Sequence, residues 1–240
     1  MMNRHIELHK RLIPSYNKDY YEYFGYGWQL AIESENGTTE FKMSDEDQMI
    51  FLFTHFAKHY RNSGIGIRHI VDLWVYQQNK TKLNEDYIER ELKKLQLNDF
   101  YVNILKTLEV WFGDGQDNDK TDLITQIIFN SGVYGTHETR VLSNAYKKTI
   151  SGENVKNVRI TAFLKTAFLP YKFMADKYPV LKKIPILLPI MWVVRFFDIL
   201  IFKRDKIKTQ INDFETSSAE RITDYGQALN YVGLDFNFKE

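Results

Sequence analysis

The sequence contains no cysteine, which excludes disulfides, thiolate zinc sites and cysteine nucleophiles. It also lacks an excess of either charge, because 32 Lys and Arg stand against 31 Asp and Glu and leave a formal net charge of +1. This balance creates no overall field that would attract nucleic acid or an anionic membrane, so any basic site must be local. Residues 1–12 contain no apolar stretch of the secretory-signal type. These absences favour a cytoplasmic protein.

One nearly apolar stretch, residues 184–202, raises the question of a membrane contact. It is interrupted by Pro185, Pro189, Arg195 and Asp198. Each central charge costs about 2.5–3.5 kcal/mol on insertion scales, so a membrane-spanning helix is disfavoured. Two other interpretations remain open: a buried helix that starts at Pro189, and a helix that lies on a membrane surface. Basic residues flank the stretch on both sides: Lys182, Lys183, Lys203 and Arg204.

The sequence does contain ample material for a packed core, since 44% of its 240 residues are hydrophobic and 15% are aromatic. Caps and apolar spacing predict a mainly helical protein of the α+β class, with short N-terminal strands, a multi-helix bundle and a C-terminal helical cap. All but one of the five prolines fall between residues 170 and 189, which indicates a bent connection there. We therefore expect three parts, which comprise residues 1–43, 44–169 and 170–240.

Short strands are predicted at residues 4–9 and 38–43, from apolar alternation and from the turn at Asn36-Gly37. Helices are expected at 17–33, at 44–62 with Ser44 as N-cap, at 66–79, and at about 84–95, 98–112, 121–131, 160–177 and 206–231. The last of these should bury Ile207, Ile211, Phe214, Ile222 and Leu229. The tripeptide Asn-Ser-Gly ends a predicted helix twice, at residues 62–64 and 130–132.

The most informative segment, residues 51–77, is predicted to be a helical hairpin with a glycine-containing corner. His55 and His59 stand one turn apart on one helical face, with Lys58 beside them. The start of the second helix carries three further groups: Arg68, His69 and Asp72. Six polar or ionisable side chains therefore converge on one hairpin.

Three interpretations of this hairpin stay open. Zinc binding is poorly supported, because the segment His55 to His59 lacks the glutamate of the H-E-x-x-H pattern and a third ligand. Anion binding is better motivated, since Lys58, Arg68, the histidines when protonated and the free N–H groups of the second helix suit a phosphate or carboxylate. In the third interpretation the groups have structural roles, with Arg68 paired to Asp72 and the histidines satisfied in the core.

The run from His55 to Leu73, H-x-x-K-H followed by G-I-G-x-R-H-x-x-D-L, resembles the hairpin of an uncharacterised bacterial nucleotidyltransferase-like family related to polymerase-beta-type transferases. Further stretches are similar to the same family, namely IELH at 6–9, FNSGVYG at 129–135, YPVL at 178–181 and LLPIMW at 187–192. The ordered set covers most of the chain and resembles the C-terminal portion of such a protein.

The resemblance implies a minimal nucleotidyltransferase sheet followed by a helical domain, with Mg²⁺-dependent transfer of a nucleotidyl group from a nucleoside triphosphate. Such enzymes hold two cations with a Gly-Ser turn, an Asp-x-Asp or Asp-x-Glu pair and a third carboxylate. Glu7 is the one candidate here, as the third carboxylate and a metal ligand, and the other motifs would lie before residue 1. The chain is therefore expected to be truncated and inactive alone.

Two acidic stretches do not replace the missing pair. Residues 45–47 open a helix without a preceding Gly-Ser turn, and residues 114–119 lack the glycine and glutamate of a calcium loop. The resemblance implies that the hairpin contacts a nucleotide or its acceptor, while nucleic acid is not expected. The alternative function is a non-catalytic helical module that binds a protein partner or a membrane surface through residues 184–202.

Overall fold

The described chain consists of helices joined by short loops, with one antiparallel pair of short strands near the N-terminus. The computed structural model describes residues 11–15, 17–34, 39–79, 83–132, 135–152, 154, 157, 164, 168–202 and 218–234, with only the backbone at 198–202. The elements in chain order are α1 (Lys18–Phe24), β1 (Ile32–Glu33), β2 (Phe41–Lys42), α2 (Asp45–Asn62), α3 (Ile67–Asn79), α4 (Glu85–Lys94), α5 (Asn98–Phe112), α6 (Asp119–Asn130), α7 (His137–Ile150), α8 (Tyr171–Lys177), α9 (Val180–Lys183), α10 (Leu188–Phe202) and α11 (Ala219–Tyr231), with short 3-10 helices at Trp28–Leu30 and Pro185–Leu187. The predicted mainly helical class is confirmed.

The chain divides into two compact units. The first comprises residues 1–136 and 227–240, and the second comprises residues 137–226. These units do not follow the expected borders at residues 43 and 169, and the three-part organisation stays a prediction.

Helix α2 is the centre of the first unit. Ser44 caps it as predicted, since Ser44 Oγ accepts a hydrogen bond from Asp47 N at 3.0 Å. On its inner face, Phe53, Phe56 and Tyr60 contact Phe100 of α5 with ring centroids 5.6, 5.9 and 5.0 Å apart. All four rings are almost completely buried. This aromatic cluster fixes α2 against α5 and leaves the opposite side of α2 free to carry polar groups.

A buried ion pair joins α1 to the last turn of α2. Arg61 Nη1 lies 2.5 Å from Asp19 Oδ2, and the two side chains are only 2% and 5% exposed. The Arg61 guanidinium also lies over the ring of Tyr20, at 5.2 Å from its centroid. Burial raises the pKa of Tyr20 to about 12, so this ring stays uncharged beside the pair. Removal of either charged partner would break this buried pair and should lower the stability of the fold.

The helix predicted at residues 17–33 is wrong in its second half. Helix α1 ends at Phe24 because Gly25 and Gly27 adopt positive φ angles of 48° and 86°, which are incompatible with a continuous right-handed helix. The chain then forms a 3-10 turn and the strand β1, which pairs with β2 in the register Ile32 to Lys42. The strand expected at residues 38–43 is confirmed in part by β2.

Helices α4 and α5 begin within one residue of their predicted starts, and Asn84 caps α4. Helix α6 begins two residues before the predicted start, because Asn118 accepts hydrogen bonds from Lys120 N and Thr121 N as its N-cap. The C-terminal segment joins this unit through Asn103 of α5, whose side-chain amide donates to the carbonyl of Val232 at 3.0 Å. The predicted burial of Ile222 and Leu229 in α11 is confirmed, since each is 2% exposed.

In the second unit, helices α8, α9 and α10 surround a small core made of Met174, Ala175 and Leu181. Residues of α10 and its approach pack against this core: Leu187, Leu188, Met191 and Trp192. The interpretation of 184–202 as a buried helix is correct for the side of α10 that packs against this core. It is wrong for the opposite side of α10, where Ile190, Val193 and Phe197 are more than half exposed. Among the helices of the described ranges, none is long and apolar enough to cross a bilayer.

Several predictions fall on residues that the structure does not describe. The strand at 4–9 with Glu7, the helical residues 206–217 with Ile207, Ile211 and Phe214, and most of residues 160–167 lie outside the described ranges. The described end of the 160–177 helix is α8, which begins directly after Pro170.

Candidate functional site

The site begins with the corner between α2 and α3, residues 63–66. Gly64 has a φ of 83°, which lets the chain reverse direction within four residues. The carbonyl of Ser63 accepts a hydrogen bond from Thr136 N at 2.9 Å, so the segment after α6 holds the corner in place. The hairpin predicted from residues 51–77 is thereby confirmed and has a second backbone segment behind it.

Two glycines make this backbone contact possible. A Cβ on Gly135 would collide with the backbone oxygen of Ser63, and a Cβ on Gly64 would collide with the side chain of Ser131. Ser131 and Gly64 belong to the two Asn-Ser-Gly tripeptides that end α2 and α6. The repeated tripeptide was the available signal, but spacing along the chain could not show that its two copies touch.

Three histidines meet on the outer side of the corner, and we call them the histidine cluster: His55, His59 and His69. The ring centroids of His55 and His59 are 4.5 Å apart on successive turns of α2. His69, on the first turn of α3, lies 6.2 Å from His55 and 5.7 Å from His59. The hairpin thus brings together the three imidazoles that the sequence placed on two different helices.

The cluster lines a cavity of about 420 Å³, which we call the corner cavity. Its polar lining consists of His55, His59, Arg68, His69 and Asp72. Its apolar lining includes Leu52, Phe56, Ile65 and Leu73, none of which was predicted as a binding residue. A cavity of this size lies in the range of about 300–1,000 Å³ that small-molecule sites occupy, with few polar groups on apolar walls.

Burial is the main cause of low pKa values in the histidine cluster. Together with the charge of Lys58 and the neighbouring rings, it lowers the pKa of His55 and that of His59 to about 4. Burial also lowers the pKa of His69, with Arg68 acting in the same direction, while Asp72 and a hydrogen bond with the Gly66 backbone oppose the shift. At neutral pH the rings are therefore uncharged, and each offers one N–H donor and one acceptor nitrogen.

Arg68 and Asp72 lie at the exposed rim of the corner cavity. The closest approach of their charged groups, from Arg68 Nε to Asp72 Oδ2, is 3.9 Å, and their side chains are 85% and 55% exposed. The pair predicted from their spacing therefore exists, but the distance is too long for a hydrogen bond. An exposed pair of this kind contributes little to stability, so the guanidinium can turn towards an anion at small cost.

Lys58 is not part of the lining of the corner cavity. Its side chain is 9% exposed on α2, and burial lowers its pKa. The ammonium still acts on the cavity at a distance, because its charge lowers the pKa of His55 and of His59. Five of the six predicted residues therefore line the corner cavity, and the lysine lies outside this lining.

One carboxylate in each of the two acidic stretches has structural contacts. Asp47 accepts hydrogen bonds from Ser44 Oγ at 2.9 Å and from the hydroxyl of Tyr87 at 2.8 Å, at the start of α2. Asp117 accepts one from Thr121 Oγ1 beside the capping box of α6. Both stretches therefore stabilise helix N-termini.

The described residues do not fit a catalytic magnesium site. No group of three or more histidine, aspartate or glutamate side chains within the described ranges could hold a metal ion, and the histidine cluster with Asp72 does not form one. Mg²⁺ also prefers oxygen ligands, which the cluster does not supply. Glu7, the predicted metal ligand, lies outside the described residues.

One comparison with known protein families gives a match over the part of the chain that contains this hairpin. Residues 2–113 match the family described as "Uncharacterised nucleotidyltransferase". The match contains Glu7 and the whole corner cavity, and it confirms the predicted resemblance to a nucleotidyltransferase-like family over these residues. The similar stretches at 129–135 and 178–192 lie outside it. No curated protein and no solved structure gives a significant match.

Proposed function

We propose that the corner cavity binds the phosphate groups of a nucleotide or of its acceptor, and that the chain serves metal-dependent nucleotidyl transfer from a nucleoside triphosphate. The observation that carries the proposal is the meeting of three imidazoles and one guanidinium in a cavity that lies within the family-matched residues. The family match supports the proposed reaction class, and the size and polar lining of the cavity support the proposed phosphate position.

The neutral imidazoles can bind a phosphate, because His55 and His59 can each donate one N–H to a phosphate oxygen. A bound phosphate would in turn favour the protonated rings, since a nearby negative charge stabilises imidazolium. Binding therefore takes up protons, and affinity rises as the pH falls from neutrality towards the low pKa of His55 and His59.

Arg68 provides the fixed positive charge of the proposed site. Its guanidinium can make two parallel hydrogen bonds to phosphate oxygens, a geometry that a lysine cannot offer. We assign Asp72 the role of holding this guanidinium at the rim before a ligand arrives, because their groups are already 3.9 Å apart. Lys58 adds positive potential from behind the histidines.

Binding measurements on the full chain test the site directly. Isothermal titration calorimetry with pyrophosphate, and with ATP plus magnesium, should show binding that Arg68→Gln and His59→Gln each weaken about tenfold or more, the value expected for a lost hydrogen bond to a charged group. Arg140→Gln is the matched control, because Arg140 is an exposed arginine on α7. Equal affinity in the control and the two site variants would reject the corner cavity as the phosphate site.

We further propose that Glu7 contributes a carboxylate to the metal site of this reaction and that the chain alone does not complete the reaction. The sequence offers no Gly-Ser turn followed by a carboxylate pair that could hold the two cations. A magnesium titration of nucleotide affinity tests the role of Glu7. Glu7→Ala should abolish the magnesium dependence and leave pyrophosphate binding at the corner cavity unchanged, whereas an unchanged magnesium dependence would remove Glu7 from the site.

A further inference from the structure

A second feature of the chain, independent of the corner cavity, lies on the outer side of α10. The side chains of Ile190, Val193, Val194, Phe196 and Phe197 are between 44% and 59% exposed, and we call them the α10 apolar face. Ile186, in the 3-10 helix that leads into α10, extends this face and is 84% exposed. Single exposed apolar residues are ordinary, but a continuous stripe of this kind marks an interaction surface.

The opposite side of the same helix is already occupied. Met191 and Trp192 pack against the core formed by Met174, Ala175 and Leu181. Trp192 is also fixed by a hydrogen bond, because its indole N–H donates to the carbonyl of Leu169 at 3.0 Å. The helix cannot turn its apolar face inward without breaking this packing. The apolar face is therefore available for a partner.

Charge indicates which partner this surface fits. Four lysines in the segment before α10 are exposed: Lys172, Lys177, Lys182 and Lys183. Asp176 lies 3.6 Å from Lys182 in an exposed pair, which offsets only part of this positive charge. The excess is local, because the chain as a whole carries a net charge of only +1.

We propose that the α10 apolar face inserts into the headgroup region of an anionic bilayer, with Lys182 and Lys183 against the lipid phosphates. Interfacial helices place apolar side chains about 5–10 Å below the headgroups and add attraction between basic residues and anionic lipids. A second copy of the chain fits less well, because lysine is depleted from protein–protein interfaces. The helix lies on the membrane with one side on the protein core and the other in the lipid.

Vesicle co-sedimentation of the full chain tests this proposal. The chain should sediment with vesicles of phosphatidylcholine mixed with phosphatidylglycerol, and the double variant Ile190→Ser with Phe197→Ser should bind about tenfold or more weakly, because both side chains are exposed and lose their insertion energy. Lys182→Glu with Lys183→Glu should weaken binding to the mixed vesicles and leave any binding to phosphatidylcholine alone unchanged.

The matched control makes the same chemical change elsewhere. Val102→Ser with Phe129→Ser replaces exposed apolar residues of the first unit, which are 41% and 61% exposed, and should sediment like the wild type. Absence of sedimentation of the wild type, or equal loss in the control and the α10 variants, overturns the proposal. A concentration-dependent dimer in analytical ultracentrifugation that only the α10 variant abolishes would instead assign the face to a second copy.

Discussion

Replacement of His55 and His59 in the corner cavity should make the stability of the fold less sensitive to acid. In the folded chain, burial and neighbouring positive charges hold the pKa of His55 and that of His59 at about 4, whereas in the denatured chain each imidazole titrates near its ordinary pKa of about 6.5. Between about pH 4 and pH 6.5 the imidazoles of the denatured state are protonated, whereas those of the folded state are not. Stability is therefore fully present above about pH 6.5 and is lost as the pH falls towards 4.

The size of the effect follows from the same values. At pH 5 the difference in pKa between the folded and denatured states lowers the stability by about 2 kcal/mol for each ring without screening. We expect about 1 kcal/mol for each ring, because both rings are only half-buried. Between pH 7.5 and pH 5, the free energy of unfolding should therefore fall by about 2 kcal/mol less in the double variant His55→Gln with His59→Gln than in the wild type. The comparison uses differences, so the common acid response of the carboxylates cancels.

Urea denaturation at the two pH values measures this difference. His137→Gln is the matched control, because His137 is an exposed histidine on α7, and it should follow the wild type. Identical acid sensitivity in the wild type and the double variant would refute the assignment of low pKa values to the histidine cluster.

Three further predictions concern the scaffold that holds the site. Gly135→Ala should destabilise the first unit by more than about 3 kcal/mol, because its Cβ would collide with the Ser63 backbone. Gly132→Ala is the control and should cost only about 1–2 kcal/mol of strain, because Gly132 has a φ of 60° and no neighbour near its Cβ position. Equal urea midpoints of the two variants would contradict this expectation. Phe100→Ala should lower the free energy of unfolding by about 3–5 kcal/mol, since Phe100 is fully buried among aromatic rings, and a loss below about 1 kcal/mol in urea denaturation would be inconsistent with that packing. Ser44→Ala should cost about 1 kcal/mol through loss of the α2 cap, measured in the same way, and no loss would show that the cap is dispensable.

Local signals predicted α2 and its cap well. Ser44 precedes three acidic residues and an apolar pattern with helical spacing, and all of these act within a few residues of chain. The predicted length of α1 was wrong, because the helical spacing of apolar residues continues past Gly25 in the sequence. The positive φ of Gly25 ends the helix there. Apolar periodicity alone does not predict whether a glycine adopts a positive φ and ends a helix.

The candidate site was predictable in its members and not in its geometry. The spacing of His55 and His59 placed both on one face of α2, but the position of His69 depends on how α3 leaves the corner. That path depends on the contact of Gly135 with Ser63, which brings together residues far apart in the chain. The neutral state of the rings was equally inaccessible, because it results from burial that sequence spacing does not report.

The exposed side of α10 illustrates the same limit. The sequence marked residues 184–202 as apolar, and it could not tell which side chains the core of Met174 and Leu181 would cover. Only the packing of Trp192 against that core separates an inner from an outer face.

NMR of the imidazole nitrogens during titration with pyrophosphate shows whether the corner cavity receives a phosphate. We expect the signals of His55, His59 and His69 to shift together and their pKa values to rise in the bound state, while the signals of His137 stay in place. Saturation of the protein with pyrophosphate without any change at these three rings would contradict this expectation.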